Sequence, residues 1–201
     1  SNLILDILDK TKLQRLRLSS IDCVEVDENF NEVLKDQRVM PHLHLSIQSG
    51  DDMILKRMKR RHNSKDVFQF VDRCKKIRKD ISFGADIIAG FPTETDTMFE
   101  NTYKLLRDNE ISHLHIFPFS PKNNTPASRM PQVSKSIIKK RAKVLRDLGE
   151  LILKKVKSKL SLPREILIEE LNSGLAIGYD QNYIKHKVPL VGVPVGEVIR
   201  V

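Results

Sequence analysis

Apolar alternation that gives way repeatedly to amphipathic helical stretches restricts this chain more than any other feature. Residues 13–19 alternate and end in two serines; residues 42–48, just after Pro41, alternate and close at Ser49-Gly50. Residues 85–89 stop at Gly90-Phe91-Pro92, and residues 113–119 stop at Ser120-Pro121. Helical periodicity fills the gaps. Asp27 reads as the cap of a short helix to Lys35, and further helices are predicted over 52–59, over 65–79 behind Ser64, and over 96–108, with Thr97 and Glu100 at capping-box spacing. Strands that recur about every 30–40 residues with a helix between them indicate an α/β fold of parallel strands and right-handed crossovers.

Ser134 then caps a long helix to about Leu160, with Ile137, Ile138, Leu145, Leu148, Leu151, Ile152 and Val156 as its expected inner stripe. After Pro163 no helical pattern remains. Val/Ile runs over 165–171, 174–188 and 192–201, separated by Asn-Ser-Gly and Pro/Gly turns, predict a small antiparallel β module. Two domains are therefore expected, 1–160 and 161–201, the second cut short because its last strand reaches the final residue.

Formal net charge is +9, and its placement matters more than its size. Residues 134–160 carry ten Lys/Arg against two acids, and residues 51–79 carry eleven against four, so these two segments exceed the whole surplus. A polyanion partner suits that distribution, and so does a plain solvated helix face. Cys23 and Cys74 are the only cysteines, too few for a disulfide framework or a four-ligand metal site, so no metal ligands are assigned. No apolar run approaches the ~18 residues of a membrane span and no basic-then-apolar leader opens the chain, so a cytoplasmic protein without a membrane partner is expected.

In parallel α/β folds ligands bind where the strands end, since helix N-termini and loop backbone converge there. All four strands finish in polar or Gly/Pro residues. Turns alone explain the serines and glycines. They do not explain Gln48 and Asp86, each on or beside an apolar strand where an unpaired polar group costs ~1–3 kcal/mol. His42 with His44, and His113 with His115, alternate on strand faces, but with no carboxylate or cysteine near them in sequence they read as half-buried strand residues rather than metal ligands. Glycine-rich nucleotide loops and a G-x-S-x-G elbow are absent, which removes the usual supports of hydride transfer, NTP hydrolysis and serine-hydrolase chemistry.

Five ordered motifs carry a resemblance. They are Arg15-Leu16-Arg17-Leu18-Ser19-Ser20-Ile21-Asp22, Pro41-His42-Leu43-His44-Leu45-Ser46-Ile47-Gln48-Ser49-Gly50 and Lys56-Arg57-Met58-Lys59-Arg60-Arg61, then Asp86-Ile87-Ile88-Ala89-Gly90-Phe91-Pro92-Thr93-Glu94-Thr95, and last His115-Ile116-Phe117-Pro118-Phe119-Ser120 followed by Thr125-Pro126-Ala127. Together they resemble the radical S-adenosylmethionine (SAM) methylthiotransferases. The serine pair with Pro41-His42-Leu43-His44 is similar to the branch that methylthiolates threonylcarbamoyladenosine beside the tRNA anticodon, more than to the isopentenyl-adenosine or ribosomal-protein branches. The resemblance runs from about Leu13 to Met130 and extends more weakly to the end, where the β segments resemble a TRAM domain, a small RNA-binding barrel. It implies the C-terminal part of a radical SAM partial (β/α) barrel with a TRAM-like module attached. The chemistry it implies is one-electron cleavage of S-adenosylmethionine at a 4Fe-4S cluster, hydrogen abstraction at C2 of the adenine, and delivery of sulfur and methyl there, on the tRNA anticodon arm.

Members of that family carry a Cys-x-x-x-Cys-x-x-Cys loop and an N-terminal domain with further cluster-binding cysteines, and this sequence has neither. The departure implies a C-terminal fragment of a longer enzyme, inactive by itself, with the cluster ligands outside the chain. Thr93 stands where many members have glycine, which restricts the backbone there. The resemblance gives this half one wall of the cofactor pocket: Arg60 on the cofactor carboxylate, Asp86 on the ribose hydroxyls and Gln48 as a polar contact. It also implies Ser19 or Ser20 near the ribose or methionine end, and Phe117 and Phe119 beside the adenine. Lys139, Lys140 and Lys143 are expected to meet RNA, and no catalytic residue is assigned. The alternative is a basic RNA-binding module without chemistry.

Overall fold

A computed structural model describes residues 1–160, 163–189 and 192–201. A first helix, α1 (Asn2–Lys10), precedes β1 (Leu16–Ile21), α2 (Phe30–Lys35), β2 (Val39–Gln48), α3 (Asp52–Arg57), α4 (Ser64–Ile77), β3 (Ser82–Ala89), α5 (Asp96–Asp108) and β4 (Ile111–Pro118). The four strands form one parallel sheet in chain order, as the strand–helix alternation predicts. A 3-10 turn, Pro126–Arg129, leads to α6 (Lys135–Lys159). α1 has no counterpart among the expected elements.

Alternation divides the sheet into two faces. Leu43, Leu45 and Ile47 of β2 and Phe83, Ala85 and Ile87 of β3 are buried in one core with Val67, Phe70 and Val71 of α4 and Leu145, Leu148 and Ile152 of α6. The intervening residues, His42, His44, Ser46 and Gln48 on β2 and Ser82, Gly84, Asp86 and Ile88 on β3, point to the other, open face. Three helix starts differ from expectation, and for α4 and α5 a better-placed acceptor is the reason. Asn63, not Ser64, caps α4, because Asp66 at its third position completes a capping box; Thr95, not Thr97, caps α5; Asn29, not Asp27, precedes α2. Ser134 caps α6 as expected, accepting from the Ile137 amide.

The inner stripe of α6 requires a correction. Ile137 and Leu151 are 42% and 65% exposed, and the buried face is Ile138, Arg141, Ala142, Leu145, Leu148, Gly149 and Ile152. Ile137 lies on the outer flank of that face, and Arg141 fills the slot one turn after Ile138.

β5 (Glu165–Asn172), β6 (Leu175–Tyr179), β7 (Lys185–Pro189) and β8 (Val198–Arg200) form an antiparallel sheet ordered β7-β6-β5-β8 around Ile166, Ile168 and Ala176. Ser173 and Gly174 both take positive φ in the two-residue β5–β6 turn, which suits a hairpin. The stretch expected as one run over 174–188 is two strands around a turn at residues 180–184. The expected boundary begins on Ser161 and Leu162, which lie outside the described residues, as do Leu190 and Val191.

That 180–184 turn seats on the N-terminal end of the open face. The Asn182 amide donates to the carbonyls of Pro41 (2.9 Å) and Asp80 (2.7 Å), and Ser82 Oγ donates to the Asn182 carbonyl at 3.2 Å. Tyr183 stacks on His42 and on Tyr179, with the Arg17 guanidinium 4.9 Å from its ring centre. Arg17 also donates to the carbonyls of Asp180 (2.5 Å) and Gln181 (3.3 Å).

Candidate functional site

The open face carries an unusual number of polar groups for the middle of a sheet. Register places Asp86 of β3 directly opposite His115 of β4, and places His44 of β2 opposite Gly84, two residues before Asp86 on the same face. His44 Nε2 lies 3.0 Å and His115 Nδ1 3.2 Å from the same oxygen, Asp86 Oδ1, and the two imidazole rings are 4.6 Å apart. No carboxylate shares a strand with either histidine pair; strand pairing supplies one from 42 residues away from His44 and 29 from His115. Gly84 makes the arrangement fit, since a Cβ there would lie 2.6 Å from His44 Nδ1.

Beyond this cluster, at the strand ends, a cavity of about 500 Å³ is lined by Gln48, Asp86, Ile88, Phe117, Phe119 and Lys122, among others. Gln48 ends β2 at φ +69, after a register shift, a sparsely populated conformation held by the surrounding packing. Phe117 is half exposed, and Phe119 meets Phe91 edge-on at 5.4 Å. A larger cavity of about 550 Å³ lies at the opposite end, between sheet and β module, but two of its arginines are already engaged. Arg78 donates to the carbonyls of Leu34, Asp36 and Val39, and Arg164 pairs with Asp180 and Asn182.

The structure thus gathers Gln48, Asp86, Phe117 and Phe119 around one cavity and leaves Ser19, Ser20 and Arg60 outside its lining. Both serines are exposed on β1, an edge strand, with Ser20 at φ +55. Arg60 is not a freely solvated base. It donates to the Ser46 carbonyl at 2.8 Å and approaches Asp22 at 3.5 Å, while its Nε–H is buried without a partner among the described residues. His62, also against Asp22, donates through Nε2 to the Ile47 carbonyl. Lys122 and Thr125 also line the cavity and were not anticipated; the Ser120-Pro121 stop that ends β4 is the signal that a loop begins there.

Cys74 is buried on α4 and Cys23 is half-buried after β1; burial pushes both thiols up to about 12, so neither offers a thiolate. Lys139, Lys140 and Lys143 are exposed in the first turns of α6. Ile138, in the same turn, would meet a Cβ at Gly90, just beyond β3, so these lysines sit at the end of the molecule where the strands finish. Lys143 pairs with Asp147, whereas Lys155 and Lys159 converge on Glu110 and hold its carboxyl down at about 2. Among the described residues no helix is long and apolar enough to cross a membrane.

A parallel sheet with its polar groups at and below the strand ends is the arrangement of a radical SAM domain. The radical SAM superfamily model matches residues 4–106, and the chain belongs to that superfamily. Among curated proteins, it is 50% identical to the threonylcarbamoyladenosine tRNA methylthiotransferase MtaB of Rickettsia prowazekii, over 88% of this chain and 42% of that protein. The Thermotoga maritima protein of the same name is 41% identical, over 91% of this chain and 43% of its own length. The tRNA-2-methylthio-N(6)-dimethylallyladenosine synthase of Geobacillus kaustophilus is 34% identical, over 92% and 36% respectively. The chain therefore spans less than half the length of these relatives. Among solved structures, the radical SAM enzyme coproporphyrinogen III oxidase (HemN) of Escherichia coli superposes with a TM-score of 0.57 at 16% identity, over 74% of this chain and 36% of that one, a likeness of fold. The likeness to radical SAM methylthiotransferases drawn from the five motifs agrees with these matches.

Proposed function

We propose that this chain is part of an enzyme that methylthiolates C2 of N6-threonylcarbamoyladenosine next to the tRNA anticodon, and that its open sheet face forms one wall of the S-adenosylmethionine pocket. The observation that carries this reading is Asp86: its Oδ1 is held by two imidazoles, and its Oδ2 has no partner among the described residues, at the lip of an aromatic-walled cavity. A free carboxylate oxygen suits a ribose hydroxyl, Phe117 and Phe119 suit an adenine, and the Gln48 amide offers both donor and acceptor. On this reading the Arg60 guanidinium meets the cofactor carboxylate, and Ser19 or Ser20 the ribose or methionine end, from outside the lining of that cavity.

S-adenosylmethionine, with the 4Fe-4S cluster of this superfamily, supplies radical chemistry. Two thiols on separate elements, one buried and one half-buried, do not fit such a cluster, so no step is assigned to Cys23 or Cys74 and no catalytic residue to this chain. The chain alone is on this reading inactive. RNA contact falls to Lys139, Lys140 and Lys143 and to the TRAM-like module at 161–201, whose strand β7 exposes Lys185 and Lys187. The names of the Rickettsia and Thermotoga relatives support threonylcarbamoyladenosine as the modified base over its dimethylallyl counterpart.

A calorimetric titration with S-adenosylhomocysteine tests the pocket. Asp86→Asn should weaken binding by ~1.5–3 kcal/mol, the range of a hydrogen bond to a charged group, and the unaltered chain should release no 5′-deoxyadenosine from S-adenosylmethionine. Equal affinity of the two proteins would remove the pocket reading. RNA binding retained with no nucleoside affinity would favour the basic module without chemistry, a reading that rests on the +9 surplus.

A further inference from the structure

We propose that His44 and His115 are positioning residues that aim Asp86: each donates one ring N–H to Oδ1, which fixes the carboxylate plane and leaves Oδ2 for a ligand's vicinal hydroxyls. The proposal rests on the reading of Asp86 as a hydroxyl acceptor and adds the groups that make it one.

The chemistry follows from what each atom can do. An ionised carboxylate only accepts, so the nitrogen that meets Oδ1 must be the protonated one in both rings. As neutral rings, His44 is then the Nε2–H tautomer and His115 the Nδ1–H tautomer. Two charge-assisted donors on one oxygen immobilise a side chain that otherwise rotates freely about its last bond, and they do so from the two strands that flank it. Gly84 is part of the same device, because any side chain there would push the His44 ring off Asp86.

A divalent cation among the three side chains is the competing arrangement, since their ligand atoms lie close enough to share one. The second ring nitrogen of His44 argues against it. A metal-bound histidine ordinarily donates its other N–H to a carbonyl or carboxylate, whereas His44 Nδ1 faces the bare Gly84 backbone and makes no hydrogen bond among the described residues. The 3.0 and 3.2 Å separations are those of two N–H···O bonds to one oxygen, and the Zn²⁺ titration below separates two protons from a shared ion.

Long-range ¹H–¹⁵N correlation of the imidazoles reads the two tautomers directly, and adenosine is the binding probe, with 2′,3′-dideoxyadenosine as the control that lacks the diol. His115 should show the less common Nδ1–H form and His44 the Nε2–H form. His44→Ala and His115→Ala should each weaken adenosine roughly tenfold, while His44→Gln and His115→Asn, which keep a donor near the same atom, should stay within about threefold of the unaltered chain. Dideoxyadenosine should bind all five proteins alike, which also shows that the variants fold. Alanine variants that bind adenosine normally while Asp86→Asn does not would overturn the positioning role and leave the Asp86 reading standing. Equal binding by Asp86→Asn and the unaltered chain would remove that reading itself. One equivalent of Zn²⁺ shifting the ¹⁵N signals of both rings would replace the two protons with a metal and overturn the proposal.

Discussion

Glu94 is a carboxylate placed in the interior of the sheet–helix core. Its carboxylate is buried beside Gly90 and meets Arg141 at 2.7 Å, while Arg141 reaches Asp96 at 2.7 Å with its other terminal nitrogen. Burial pushes the Glu94 carboxyl up and the Arg141 guanidinium pulls against it. This pair ties the loop after β3, where Gly90-Phe91-Pro92-Thr93-Glu94 begins, to α6. Arg141→Ala should cost about 3–5 kcal/mol in urea unfolding, because it leaves a buried carboxylate uncompensated; a loss below ~1 kcal/mol would mean that water reaches Glu94. Arg141 was legible in part. It lies three residues after Ile138 and four before Leu145, in register with an apolar stripe, so an inward arginine was readable from period alone. Its partner was not, because 47 residues separate them. Asp86 was the opposite case: as a charge within an apolar strand it was conspicuous, and what remained hidden were the two imidazoles that hold it.

Elements were legible wherever periodicity and burial agree. β2 shows period-2 alternation over Leu43–Gln48, and Pro41 does not interrupt the strand, since the shorter expected run simply began after it. α1 was not anticipated although Ser1 stands at its N-cap and Leu3, Ile4, Ile7 and Leu8 recur at helical spacing; in the structure Ser1 makes no side-chain cap bond and only Leu8 is buried. α6 shows the limit of counting charge. Of its ten bases, Arg141 is internal and Lys143, Lys155 and Lys159 have acidic partners, which leaves its N-terminal lysines as the main free charge near the strand ends. Reversing Lys139, Lys140 and Lys143 to Glu should flatten the salt dependence of binding to an anticodon stem-loop, since each lost phosphate contact removes about 0.9 from the log–log slope. An unchanged slope would return this helix face to bulk solvent and move the RNA path to β7.

Across the whole molecule the junction between sheet and β module is where pH should act. Burial holds His113 down at about 4 and His42 at about 2, with neighbouring histidines and Arg17 adding to the effect on His42, while Asp180 and the Tyr183 carbonyl pull His113 the other way. The unfolded chain takes up protons on both near 6.5 and the folded one does not, so stability is complete above that value and falls as pH drops towards 4. The slope approaches 1.4 kcal/mol per unit for each histidine. Thermal unfolding between pH 7 and 4.5 should show the decline, and His113→Asn should make it shallower; parallel profiles would place the acid sensitivity elsewhere. The same junction bears on how the chain folds. Asn182 binds carbonyls that stand side by side only after β2 and β3 have paired, and Arg17 holds residues more than 160 positions away. Contacts of such sequence separation form late. The β module can dock only where β2 and β3 already lie side by side, so its seat exists only on a paired sheet.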